Sequence, residues 1–144
     1  MSGIVVGVDG SEHSQRALEW AMAEAALRGI PLTVVTVRQV ATDSWGTSPM
    51  VFPCEDVPEA EWQREMAQKM TDKAFATLGD SGRPKVMIKA SAGVPADELI
   101  RASEDADMEV VGSRGCGGFA RLLLGSVSTQ LVHHAHCPVV VIRA

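Results

Sequence analysis

The sequence predicts an α/β fold: a single doubly wound, five-stranded parallel sheet with helices on both faces. Three observations predict it. Short apolar runs alternate with segments of helical spacing, in the order β-α-β-α-β-α-β-α-β. The runs are β-branched and continuous rather than alternating with polar residues, as in strands buried on both faces. The 144 residues are 46% apolar and 22% charged, which suits one domain with a substantial core, so residues 1–144 are read as a single domain.

The elements follow in order. Ile4-Val5-Val6-Gly7-Val8 is the first strand, ended by Asp9-Gly10-Ser11. Ser11 is a helix N-cap, because its hydroxyl can accept an unpaired amide of the first turn. Leu18, Ala21, Met22 and Ala25 then recur at helical spacing, and Gly29 ends that helix. Leu32 to Val37 is the second strand. Residues 39–58 carry Pro49, Pro53 and Pro58 among Thr, Ser and Gly and read as a long loop. Trp62, Met66, Met70, Ala74 and Leu78, four apart, mark a second amphipathic helix broken by Gly79 and Gly82-Arg83-Pro84. Val86-Met87-Ile88 is the third strand.

Pro95 suits the first position of a helix whose face is Ala96, Leu99, Ile100 and Ser103. Met108 to Val111 is the fourth strand. Ser126 is expected to cap a last helix bearing Val127, Leu131, Val132 and Ala135. After Pro138 comes the fifth strand, Val139 to Ile142. Right-handed crossovers leave few topologies for this order. In a doubly wound sheet the ligand crevice lies beyond the carboxyl ends of the strands, where the strand order reverses. Asp9 follows the first strand and Gly112 the fourth, so both are expected to open onto it.

Composition excludes several classes. The net charge of −5 and the lack of any Lys/Arg run argue against a nucleic-acid partner. No apolar run approaches the ~18 residues of a membrane span. The start, Met1-Ser2-Gly3-Ile4, has no basic n-region, so no secretory signal is expected. Cys54, Cys116 and Cys137 are odd in number and scattered, which favours a reducing cytoplasm over a disulfide framework.

The motif that carries chemistry is Gly112-x-x-Gly115, then nine residues, then Gly125-Ser126. Glycines at a strand-to-helix turn let backbone amides approach an anion. The helix beginning near Ser126 adds the positive end of its dipole. The pieces describe a phosphate cradle. At each glycine the competing reading is a simple turn requirement.

On these residues the chain resembles a known family. Val110 to Ile142 is similar to the carboxyl-terminal signature of the universal stress proteins, in their ATP-binding subgroup. Ile4 to Ser11 resembles the amino-terminal strand and turn of that family. The likeness is weakest over residues 40–84. It implies an adenine nucleotide α-hydrolase-like, flavodoxin-like sheet and ATP as ligand. It places Asp9 beside the ribose and phosphates, with Mg²⁺ as a further ligand there. It places Val37 and its neighbours at the adenine. It gives the phosphates to Gly112, Arg114, Gly115, Gly125, Ser126, Val127 and Ser128, while Gly7 would leave room at the mouth of the first strand. It also implies a homodimer, formed through the terminal apolar strand if that strand is an edge.

Alternatives stay open at this point. Asp9 also fits a plain turn or cap role in Asp-Gly-Ser. Arg114 and Arg121 are either phosphate partners or solvated loop charges. Function divides among a nucleotide-dependent signalling module, a slow ATPase or autophosphorylating enzyme, and a module for AMP or another small ligand. No dedicated base for phosphoryl transfer is identifiable. Gly115-Cys116-Gly117-Gly118-Phe119-Ala120 fits the dinucleotide fingerprint, but it comes too late in the chain and no acidic residue follows it. No Gly-Lys-Ser or Gly-Lys-Thr occurs. His133, His134, His136 and Cys137 match no standard zinc spacing, and imidazoles in a last helical turn suit its negative end. Cys116 is either a thiol activated near Arg114 or a tolerated loop residue. His13 and Ser14 form no nucleophile elbow or triad that the sequence displays. Trp20, Trp45 and Trp62 are read as packing or interface residues. Glu109 conflicts with its apolar strand. It either faces a partner and a cation, or the fourth strand begins later.

Overall fold

The computed structural model describes residues 3–39, 60–80, 82–114 and 124–143. Nine elements are assigned among them: β1 (Ile4–Gly7), α1 (Glu12–Arg28), β2 (Leu32–Gln39), α2 (Ala60–Leu78), β3 (Val86–Gly93), α3 (Pro95–Ser103), β4 (Met108–Gly112), α4 (Ser126–His134) and β5 (Val139–Ile142). All strand pairs are parallel, in the order β3-β2-β1-β4-β5. The order reverses between β1 and β4, so the doubly wound expectation holds and the switch point lies at those two strand ends.

Both faces of the sheet are covered, which explains the unbroken apolar runs. Ile4, Val6, Leu32, Val34 and Val110 pack with Leu18 and Met22 of α1 and with Ala67 and Met70 of α2. Val5, Val35 and Val111 pack on the other face with Leu99 of α3 and Leu131 of α4. Helix α1 begins and ends as its local signals dictate. The Ser11 side chain accepts from the Ser14 amide, and Gly29 sits at φ 67° with its amide donating back to Ala25 and Ala26 carbonyls.

Helix α2 exists as expected but buries a different stripe. Gln63, Ala67, Met70, Thr71 and Ala74 are buried, whereas Trp62 is 52% exposed and Met66 is only partly covered. A strict four-residue repeat drifts ~40° per step around a 3.6-residue helix, so it cannot stay on one face. Strand β3 runs five residues beyond the expected Ile88, pairing with β2 as far as Gln39↔Gly93. Lys89-Ala90-Ser91-Ala92 has no strand signature. The ladder of β2 imposes the conformation, as tertiary context commonly does for β structure. No helix among the described residues is long and apolar enough to cross a membrane.

Candidate functional site

The site begins at the carboxyl end of β1. The Val8 amide donates to the Val35 carbonyl at 2.9 Å, which carries the strand to the edge of the sheet. The chain then turns through Asp9 and Gly10, whose φ of 88° suits glycine. Asp9 Oδ1 accepts from the Ser11 amide at 2.9 Å, and the Asp9 amide donates to Ser14 Oγ at 3.2 Å. Ser14 Oγ in turn donates to the Ser11 carbonyl at 3.0 Å. The turn-forming role of Asp9 is therefore real.

The second half of the site is built by β4 and α4. The Ser113 amide donates to the Ile142 carbonyl at 2.8 Å, and the Gly125 amide donates to the Ser113 carbonyl. Ser128 Oγ, buried, reaches both the Ser113 carbonyl at 3.2 Å and the Gly125 carbonyl at 3.1 Å. These bonds tie the start of α4 to the end of β4. Residues 112–114 and 125–128, separated in sequence, thus share one corner at the switch point. The N-cap of α4 is Gly125, one residue earlier than expected, and Ser126 is the first helical residue. No side chain caps that helix. The first-turn amides of an uncapped helix point outward as anion donors. The φ of Gly125 is −73°, open to any residue, so a turn requirement does not account for glycine there.

Two other glycines have packing reasons. A Cβ on Gly7 would lie 2.9 Å from Leu99 Cδ1, so this position makes room for α3. A Cβ on Gly112 would lie 2.9 Å from the carbonyl carbon, oxygen and Cβ of His13. Gly112 thus lets the first turn of α1 rest on the end of β4. Val37 is half-buried against the α3-side core near the end of β2. Arg114 is half-buried at the corner. Gly115, Cys116 and Arg121 lie outside the described residues, as does most of the 39–58 segment.

Three polar side chains hold sealed, unpartnered atoms: Glu109, which the sequence flags, His13, which it offers only as part of an unassembled nucleophile pair, and Arg38, which it does not single out. His13 Nδ1, Arg38 Nε and both carboxylate oxygens of Glu109 are buried without a hydrogen-bond partner. Glu109 lies inside β4 between Val5 and Val139, fully buried, so the strand register stands and the late-start alternative is corrected. Burial pushes its carboxyl up to about 8. Cys137 is pushed up to about 11, mainly by burial, then by the nearby Glu109 and Asp107 charges. Such a thiol stays protonated and unreactive. His133 and His134 lie exposed in the last turn of α4, and His136 Nε2 is 3.9 Å from Glu104 Oε1. Among the described residues, no three His, Cys, Asp or Glu side chains gather as a metal site. A groove of ≈ 210 Å³ beside Gly10 is lined by Trp62, Glu65, Met66, Lys69 and Met70. It belongs to α2 and is distinct from the corner of β4 and α4.

Comparison with known proteins agrees with this layout. The model of the universal stress protein family matches residues 1–143. The chain belongs to the universal stress protein family. Universal stress protein Rv2005c of Mycobacterium tuberculosis is 38% identical over 143 residues, covering 99% of this chain and 48% of that protein. Universal stress protein Rv2623 of the same organism is 35% identical over 145 residues, covering 98% of the chain and 47% of its own length. This universal stress domain therefore spans about half the length of these curated relatives. UspA from Lactobacillus plantarum has the same fold, with a TM-score of 0.76 at 21% identity over 99% of this chain and 98% of that one. A universal stress protein solved in complex with cAMP aligns with a TM-score of 0.70 at 26% identity, over 98% and 95% of the two chains. One from Archaeoglobus fulgidus, solved in complex with dAMP, gives 0.61 at 26% identity over 97% and 96%.

Proposed function

We propose that this universal stress domain binds an adenine nucleotide, ATP in the first place, and acts in the cytoplasm as a nucleotide-dependent signalling module of the stress response. The observation that carries the reading is the corner where Gly112–Arg114 meets the uncapped start of α4. Main-chain donors there suit phosphate oxygens. In this reading Asp9, at the end of β1, lies beside the ribose and phosphates, and its carboxylate would be the residue to hold Mg²⁺ together with the phosphates. Val37 and the end of β2 meet the base in the same reading, and Gly115, outside the described residues, is assigned to the phosphates. The relatives solved with cAMP and dAMP support the choice of an adenine ligand. Among the described residues the site offers binding groups, and no dedicated base for phosphoryl transfer stands out, so binding is the preferred reading over turnover.

The test is displacement of a fluorescent ATP analogue, followed by anisotropy. ATP, and less completely AMP, should displace it, while GTP should not. Equal displacement by GTP, or none by ATP, would refute the adenine reading.

We further propose a homodimer through β5. The sheet has two edges. The β3 edge carries an exposed Lys89, a charge that discourages edge pairing. Strand β5, Val139–Ile142, is uncharged, apolar and only half-buried. Mass measurement at micromolar concentration should report twice the chain mass, and Val141→Lys should restore the single-chain mass. A wild-type chain that stays single at that concentration contradicts the dimer.

A further inference from the structure

This inference rests on the nucleotide reading of the crevice and deepens it. Three residues hold buried, unpartnered side-chain atoms among those described. Glu109 lies in the amino-terminal half of β4, away from the carboxyl edge. Arg38 is the penultimate residue of β2, two residues after Thr36, whose hydroxyl accepts from Gln63 of α2. His13 stands at the switch point itself, with its backbone and Cβ against Gly112.

Three neighbouring polar side chains are already used. Ser11 Oγ caps the Ser14 amide, Ser14 Oγ bridges Asp9 and Ser11, and Asp9 Oδ1 holds the Ser11 amide. None of them meets the imidazole. An N–H at Nδ1 would be sealed without an acceptor, which is unfavourable. A bare Nδ1 is unpaired as well, but a sealed N–H is the rarer and costlier orphan, so we place the ring proton on Nε2. His13 is half-buried with its Cβ against Gly112, so the ring starts at the end of β4 and its N–H donor lies on the uncovered part. Among the described residues, no acceptor is hydrogen-bonded to that donor. A phosphate oxygen gathered by the amides of residues 112–114 and 125–128 would supply one.

We propose that His13 is a ligand-reading side chain whose Nε2–H donates to a phosphate oxygen of the bound nucleotide. It adds a side-chain contact to a cradle otherwise made of main chain and distinguishes phosphorylated adenosine from adenosine itself.

The experiment is calorimetric titration of wild type, His13→Phe and His13→Gln, with ATP and with adenosine separately. Phenylalanine keeps an aromatic ring at position 13 and removes both nitrogens. Glutamine returns an N–H donor at similar reach. His13→Phe should weaken ATP by about 10-fold or more and leave adenosine within about two-fold. His13→Gln should recover most of the loss. Thermal melting checks that each variant is folded, and His13→Ala replaces the phenylalanine variant if that one is not. Wild-type affinity for ATP in the Phe or Ala variant overturns the inference and leaves the nucleotide reading standing. An equal loss for adenosine also overturns it, since that marks a packing role. Failure of the wild type to bind either compound overturns both.

Discussion

Glu109→Leu should raise the unfolding free energy at pH 8 by about 3–5 kcal/mol, the cost of holding a carboxyl in an apolar site without a partner. The side chain is fully buried and neither oxygen has a hydrogen-bond partner. Leucine matches its reach and finds apolar neighbours in Val5, Leu131 and Val139. The pH dependence separates this cause from general repacking. In the unfolded chain the carboxyl loses its proton near the ordinary value of about 4.3. In the folded protein burial holds the proton until about pH 8. Between those values the folded state binds more protons than the unfolded one, so stability falls as pH rises and levels off above pH 8. Urea denaturation at half-unit steps from pH 4.5 to 8.5 should show this slope in wild type and its loss in the leucine variant. The two proteins should converge towards pH 4.5. A gain that is the same at every pH would refute the account of Glu109.

Gly112→Val should lose both stability and ligand. The new Cβ would sit 2.9 Å from the backbone of His13, which cannot swing aside without moving the first turn of α1. That turn carries His13 and is tied through Ser14 to Ser11 and Asp9, so a shift there misplaces one wall of the crevice. A loss of about 1–3 kcal/mol in urea is expected, with ATP affinity lowered by at least about 10-fold. Gly125→Ala provides the contrast. Its φ of −73° admits a side chain without backbone strain, so stability should change little while phosphate binding weakens. Equal stability in Gly112→Val and wild type would show that α1 does not bear on β4 as described.

Much of this was legible in the chain because the signals are local. Ser11 and Gly29 bound α1 by chemistry within a few residues, and the β-branched runs mark β1, β2, β4 and β5. The switch point follows from the alternation of elements, and the motif at Gly112, Gly125 and Ser126 placed the corner. What escaped the sequence depends on distant contacts. The length of β3 is set by its partner β2, and the buried stripe of α2 by the sheet beneath it. The reason for glycine at 7 and 112 is the approach of Leu99 and His13 from other elements. His13 could not be singled out while its neighbour across the fold was unknown. Glu109 did announce itself, as a carboxylate in an apolar strand. Its full burial required the coordinates.

The central claim is that main-chain donors at the end of β4 and the start of α4 converge on a phosphate. Amide chemical shifts of the ¹⁵N-labelled protein, followed during titration with ATP and Mg²⁺, test it residue by residue. Gly112, Gly125, Ser126, Val127 and Ser128 should move furthest and saturate together, with Asp9 and His13 following the same curve. Saturating nucleotide that leaves the amides of 125–128 unmoved, in protein shown to be folded, would contradict the claim.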